Sequence, residues 1–258
     1  MTVLDSFSLR GKTALVTGGA GRYGRQIVLA LAEAGARTLV ASRNLTALEE
    51  LAGGCRESGL DVRAMSLDLA DERSILALRD VIAQDMGRLD ILVNNAVARP
   101  VTACDAPVEA IDESMRVNAT GLILVTRAMA EVLTDGGSII NIGSIMGLVG
   151  PEPANYRGTA LDAWYPDYFF HKGGMASLTR FWASCYGPRN IRVNCVHPGG
   201  LQSEDHPDEF LHHYNERTCL GRMAGDRDLM GIVVFLASDA SGYVTGANIP
   251  VDGGYTAK

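Results

Sequence analysis

Tyr168 and Lys172 stand four residues apart in Tyr168-Phe169-Phe170-His171-Lys172, and Ser144 precedes the tyrosine by twenty-four positions. A helix places positions i and i+4 on one face, so the phenol and the ammonium can share a cleft. The ammonium favours the phenolate and lowers the tyrosine pKa from about 10 towards a usable range. A tyrosine tuned in this way passes a proton near neutral pH, while Ser144 hydrogen-bonds the reacting oxygen. Tyr156 has Ala160 at the same offset and Tyr165 has Phe169, so neither offers that pairing.

Chance places many such pairs on helix surfaces, and this one gains weight from a glycine-rich turn near the start of the chain. Thr17-Gly18-Gly19-Ala20-Gly21-Arg22-Tyr23-Gly24 follows the apolar run Thr13-Ala14-Leu15-Val16 and precedes Gln26–Ala34, where apolar residues recur at helical spacing. Strand, glycine turn and helix together let backbone amides and the helix dipole receive a pyrophosphate. A plain turn between strand and helix is the alternative.

With both ends read, the chain resembles the short-chain dehydrogenase/reductase family in its compact single-domain branch. The resemblance runs from Phe7-Ser8-Leu9-Arg10-Gly11-Lys12 to Val251-Asp252-Gly253-Gly254, with matching motifs in family order. They are Asp68-Leu69, Asn94-Asn95-Ala96, Asn118 in Val117-Asn118-Ala119-Thr120-Gly121, Asn141-Ile142-Gly143-Ser144, the Tyr168/Lys172 pair, and Ile191 to Gly199. It implies a Rossmann-type α/β fold and a Ser-Tyr-Lys mechanism. Ser144 would bind the substrate oxygen and Tyr168 act as general acid or base. Lys172 would lower the tyrosine pKa and hold the nicotinamide ribose, and Asn118 would support a water linking Lys172 to solvent. Asp68 and Leu69 would frame the adenine, and Asn95 and Ala96 the inner ribose. Pro198, Gly199 and Ser203 would lie beside the nicotinamide, Ser203 where threonine often binds the carboxamide.

Bracing or capping is the structural alternative for Asn118 and Asp68. Met115, Leu122, Val125 and Met129 follow helical periodicity and read as core or interface rather than as a cofactor box.

Strand-like runs at Thr13–Thr17, Thr38–Ala41, Val62–Leu67, Ile91–Val93, Ser138–Ile142, Arg192–Val196 and Asn248–Val251 alternate with helical stretches. The latter are expected at Arg22–Ala34, Leu45–Ser58, Asp71–Met86, Val108–Leu133, Asp167–Tyr186 and Asp226–Ser238. That alternation predicts a single domain over residues 1–258, a doubly wound parallel sheet with its ligand crevice at the strands' carboxyl ends. At 258 residues and 47% hydrophobic, the chain can bury a substantial core. A net charge of −7 without a basic block argues against nucleic acid and anionic membrane surfaces. No signal pattern opens the sequence and no apolar run reaches the roughly 20 residues of a membrane span, so a cytoplasmic protein is expected. The five scattered cysteines have no metal-ligand spacing and read as reduced thiols, mostly packed as small apolar residues.

Three departures from the family pattern stand out. Arg22 replaces a usual glycine, leaving Gly18, Gly21 and Gly24 in a spacing nearer the extended branch. Val97 replaces another glycine after Asn94-Asn95-Ala96. The segment between Ser144 and Tyr168 is long, with an insertion near 148–166 that holds Tyr156, Arg157, Trp164 and Tyr165. It either packs only on itself or lines the substrate mouth.

Cofactor choice turns on Val40-Ala41-Ser42-Arg43-Asn44. Ser42 stands where an acidic residue would accept the ribose 2′-OH of NAD, and Arg43 follows it. Hydroxyl and guanidinium suit a 2′-phosphate, with Arg22 as a second cation, so NADP is expected and NAD remains possible. A solvated helix-start residue is the alternative for Arg43.

The substrate flap near 199–217 is rich in polar residues, and the stretch through Leu220-Gly221-Arg222-Met223-Ala224 is similar to branches that act on sugars and polyols. An acyl-thioester ketone, a small cyclic ketone, or a nucleotide-binding protein without turnover are the other readings. The presence of Ser144, Tyr168 and Lys172 favours an enzyme. His206, His212 and His213 suggest a metal, but adjacent helical histidines diverge by about 100° and no carboxylate–histidine motif is apparent, so no metal is expected. Family members commonly pair through the two long helices, here with Met115, Leu122, Ile123, Val125, Met129 and Val132 on the first and Met175, Leu178, Phe181 and Trp182 on the second. A homotetramer follows, or a dimer.

Overall fold

The computed structural model describes residues 2–161 and 164–258. Its centre is β1 (Thr13–Thr17), buried along its whole length, flanked by β2 (Arg37–Ser42) and β4 (Leu89–Asn94). The full order is β3-β2-β1-β4-β5-β6-β7, all parallel, with β3 (Val62–Ser66), β5 (Leu133–Ile142), β6 (Arg192–Pro198) and β7 (Asn248–Val251). The strand order reverses direction between β1 and β4, and in such sheets ligands bind at that switch point.

Successive strand residues point to opposite faces, which sorts the core into two layers. Ala14, Val16, Val40, Ile91 and Val93 pack with α1 (Arg22–Glu33), α2 (Leu45–Glu57) and α8 (Met230–Ala237). Leu15, Leu39, Leu92 and Ile139 face α3 (Glu72–Asp85), α5 (Leu122–Val132) and α6 (Pro166–Tyr186). Both faces are covered, as an all-parallel sheet requires.

Several boundaries differ from expectation for identifiable reasons. The helix expected over Val108–Leu133 is α4 (Val108–Met115), a π segment Arg116–Gly121, then α5. A Cβ at Gly121 would lie 2.9 Å from Leu69 Cβ, so that turn packs tightly against the end of β3's loop. Leu133 takes an extended conformation and pairs with Leu89, so it starts β5 instead of ending a helix. The helix expected from Asp226 begins only at Met230, because Asp228 accepts from Gly225 N at 2.7 Å and holds 225–228 as a turn. Within the flap the chain forms α7 (Asp208–Arg217), a helix that carries His212 and His213 and lies outside the long helical stretches expected.

Of the residues expected at a subunit interface, Leu122, Val125, Met129, Met175 and Trp182 are covered by the protomer's own layers. Ile123 and Phe181 remain exposed, joined by Phe170 at 63%. Three of the five cysteines, Cys104, Cys185 and Cys219, are exposed instead of packed.

Candidate active site

The glycine turn runs directly from β1 into α1. Gly18 adopts φ +70, in the left-handed region that favours glycine, and a Cβ there would stand 2.7 Å from Ala96 Cα. At Gly24 a Cβ would lie 2.8 Å from Gly19 Cα, so α1 starts in contact with the turn itself. Gly21 is the N-cap residue of α1 with no side-chain cap, which leaves the helix's first amides open to an anion. These features fit a dinucleotide pyrophosphate. Asn95 ties β4 to the turn, its Nδ2 donating to Thr17 O at 3.0 Å and Gly18 O at 2.9 Å, while Ala96 N donates to Thr17 Oγ1.

The other expected cofactor residues line the same carboxyl edge. Ser42 ends β2 half-buried and Arg43 is exposed beside it, just before the N-cap Asn44. Asp68 Oδ1 accepts from Ala70 N at 2.9 Å and so braces its own loop, while Leu69 is buried. Arg22 reaches the flap: Nη2 lies 3.5 Å from Asp205 Oδ2, both groups being well exposed. Tyr23 Oη donates to Gly199 O at 2.8 Å, next to Pro198 at the end of β6. Ser203 Oγ donates to Asp205 Oδ2 within the same loop.

Ser144, Tyr168 and Lys172 converge. Ser144 ends the loop after β5 and Tyr168 and Lys172 lie in the first turns of α6. A Cβ at Gly147 would stand 2.9 Å from Gly173 N, so the turn after Ser144 rests on the α6 backbone beside Lys172. Lys172 is buried and its Nζ donates to Ile142 O at 2.6 Å, 5.6 Å from the Tyr168 ring centre. Burial pushes the Tyr168 phenol up, but Lys172, Arg99 and a hydrogen bond from Ser144 more than offset this and bring it below its ordinary value. Burial lowers the Lys172 pKa, opposed by the attraction of Tyr168. The neighbouring Cys195 thiol is pushed up to about 12 by burial, and Lys172 only partly counters that. A neutral thiol leaves the phenolate as the partner for the lysine charge.

Asn118 lies in the π segment. Its Oδ1 accepts from Ala98 N and its Nδ2 donates to Ala98 O, each at 2.8 Å, and Nδ2 also reaches Ser114 Oγ at 3.1 Å. Its side chain therefore braces the loop after β4. Ser114 in turn donates to Asp167 Oδ2 and meets His171 Nε2 at 2.8 Å, all three groups being buried. Burial lowers the His171 pKa, with Lys172 acting in the same direction and Asp167 against. Asp167 and His171 are an i,i+4 pair flanking Tyr168, a spacing that marks the network in the sequence.

The insertion does not pack only on itself. Asn155 Nδ2 donates to Tyr255 Oη at 2.7 Å, and the Tyr156 ring lies 5.5 Å from that of Phe210 in α7. Ile145, Phe210, Tyr214, Met223 and Tyr255 form a small apolar cluster there. Asp162 and Ala163, within the expected insertion, lie outside the described residues. In α7, His212, His213 and Glu216 bring ligand atoms within 4.8 Å of one another. Glu216, one turn beyond His212 on an exposed face, supplies the carboxylate of that trio.

Residues 23–256 match the family model described as enoyl-(acyl carrier protein) reductase. A solved short-chain type dehydrogenase/reductase from Mycobacterium marinum superposes with a TM-score of 0.88 at 33% identity, each chain covered completely. The chain belongs to the short-chain dehydrogenase/reductase family. Among curated members, D-threitol dehydrogenase of Mycolicibacterium smegmatis is 34% identical over 100% of this chain and 98% of its own. The 3-oxoacyl-(acyl-carrier-protein) reductase of Thermotoga maritima is 32% identical over 95% and 98%. Membership makes this chain an NAD(P)-dependent oxidoreductase acting on hydroxyl or carbonyl groups. Among the described residues, no helix is long and apolar enough to cross a membrane.

Proposed function

We propose that this short-chain dehydrogenase/reductase interconverts an alcohol and a ketone on a sugar- or polyol-like substrate, using Ser144, Tyr168 and Lys172. The observation that carries this reading is the convergence of Ser144, Tyr168 and Lys172, with the ammonium 5.6 Å from the phenol ring and the phenol drawn below its ordinary pKa by these neighbours and Arg99. A nicotinamide dinucleotide, when bound, supplies or accepts the hydride. The chain's own residues handle the proton. In the oxidative direction the substrate hydroxyl lies between Ser144 Oγ and Tyr168 Oη, and its proton passes to the phenolate oxygen. Ser144 steadies the carbonyl oxygen as it forms. Lys172, fixed through Ile142 O, stabilises the phenolate, and Asn118 keeps the neighbouring loop in place.

NADP is the proposed cofactor, with Arg43 and Arg22 taking the 2′-phosphate, and Asp68, Leu69, Asn95, Ala96 and Ser203 contributing the remaining contacts. The proposed assembly is a two-fold symmetric homotetramer in the cytoplasm. The segment near 148–166 is proposed as an insertion that shapes the substrate mouth.

Tyr168→Phe should lower turnover by about 10²-fold or more, since general acid–base groups contribute that much. Near-wild-type turnover with cofactor still bound would sink the assignment. A second reading, reduction of a 3-oxoacyl thioester, is favoured by the Thermotoga maritima relative. The net charge of −7 opposes docking of an acidic acyl carrier. Turnover of an acetoacetyl thioester that exceeds every polyol and ketose would decide for it.

A further inference from the structure

We infer that Arg99 is the substrate's anion-binding residue, and that the substrate is a hydroxy acid or oxo acid whose carboxylate lies within two carbons of the reacting centre. This deepens the alcohol–ketone reading above and rests on it. Arg99 follows the β4 motif in Ala96-Val97-Ala98-Arg99-Pro100 and is exposed. Its guanidinium carbon lies 4.7 Å over the Tyr168 ring, and Nη2 is 3.4 Å from Tyr168 Oη. That last contact is long for an N–H···O bond, and among the described residues no carboxylate pairs with Arg99. Among the described residues Nη2 alone of the guanidinium nitrogens finds a partner, so the remaining donors are left for a carboxylate, which arginine can receive with two parallel bonds.

The arginine also springs from pinned backbone. Asn118 clamps both the N–H and the C=O of Ala98, Pro100 follows, and Val101 is buried. A surface arginine on a free loop would need no such support. Its position sets the distance between the two groups on the ligand. A reacting oxygen hydrogen-bonded to Tyr168 Oη and an anion held by Arg99 are only a few ångströms apart. A carboxylate on the carbon next to the carbinol, or one carbon further, spans that gap, whereas an anion at the far end of an extended sugar acid does not. Arg99 supplies local attraction that the overall charge of −7 denies to an acidic ligand.

The test compares aldonates, from glycerate to gluconate, with their matching alditols. Wild-type protein should turn over at least one aldonate with a lower KM than its alditol. Arg99→Ala should raise that KM by about 10- to 100-fold, the cost of a lost charged hydrogen bond, and move the alditol KM by less than about threefold. Arg99→Lys should recover only part of the loss. Equal changes for acid and alditol, a fall in kcat alone, or preference for an alditol phosphate over every aldonate would overturn the inference.

Calorimetry supplies a readout independent of turnover. With NADP⁺ present, Tyr168→Phe should bind the preferred aldonate more tightly than Tyr168→Phe/Arg99→Ala, and equal binding, or none, across the aldonate panel would overturn the inference. The two readings fail differently. Tyr168-dependent turnover of neutral alditols without acid preference removes only the Arg99 assignment, whereas Tyr168→Phe turning over as fast as wild type removes the alcohol–ketone mechanism.

Discussion

The proposed cofactor end and the proposed substrate end of this crevice are built from different materials. Around Gly18 and Gly24 the contacts are backbone against backbone, and the few side chains involved, Thr17 and Asn95, bond to main chain. At the proposed substrate end, side chains from distant segments meet each other: Asn155 with Tyr255 and Tyr156 with Phe210. A backbone-built site tolerates almost no substitution yet reads only the shape shared by all dinucleotides. A site made of side chains can change its ligand by changing a few residues.

The sharpest way to break this contrast is Gly24→Val. The added carbons have nowhere to go but into Gly19 Cα, so α1 must move off the turn. Overpacking of this kind costs about 1–3 kcal/mol or more, and cofactor affinity should fall by a decade or beyond in a fluorescence titration. Unchanged affinity would mean that the turn is less constrained than its contacts imply. Next in size is Arg43→Ala, which tests a proposed cofactor contact made by a long side chain. NADPH binding should weaken by about 10- to 100-fold, the worth of a charged hydrogen bond, and NADH should be nearly unaffected. Equal losses would return Arg43 to the solvent.

Asn155→Ala probes the other end. It removes the Asn155 bond to the Tyr255 hydroxyl in a buried cluster and leaves only Arg217 on that oxygen, at a cost of about 0.5–1.5 kcal/mol. Thermal denaturation should show the loss, and substrate KM should rise while the cofactor dissociation constant holds. A change in cofactor binding of the same size would erase the division between the two ends. The smallest effect belongs to Asp205→Asn, which removes the exposed pair to Arg22. Exposed pairs contribute about 0–1 kcal/mol, so stability should barely move, and any shift in NADPH affinity should vanish in high salt. pH sharpens the picture further. Oxidation needs the phenolate, and the Tyr168 pKa lies below 10, so the rate should rise with pH through a midpoint under that value. Arg99→Ala removes one stabilising cation and should move the midpoint upward for every substrate.

What was legible in the sequence follows the same division. Thr13–Thr17 matches its strand in full, because a strand buried on both faces is a short apolar run bounded by turn residues. Asn248–Val251, a half-exposed edge strand, matches because Gly246 and Gly253-Gly254 mark it off on either side. The glycine turn and the Tyr168/Lys172 pair were legible because their spacing is local. The π segment at Asn118 was not, since nothing in a hydrophobic period distinguishes an i→i+5 turn from the helix around it. Arg99 was passed over because its meaning lies in its distance from a tyrosine 69 positions later. The Asp167/His171 pair did carry a signal, an i,i+4 acid and imidazole astride the tyrosine, and the same spacing marks His212 and Glu216. The self-packing alternative for the insertion failed because its partners, Phe210 and Tyr255, come from segments a periodicity reading treats separately.

The π segment has a consequence for how such a chain diversifies. A wide turn takes up one residue more than the α-helix it interrupts, so α4 and α5 keep their separate packing while the residues between them are displaced sideways. Asn118 sits in that bulge and grips the loop that carries Arg99. Insertion or loss of a single residue between Arg116 and Gly121 can therefore retract or advance the loop without repacking the sheet. The chain holds the loop that carries Arg99 on an adjustable hinge pin whose setting is one residue of length.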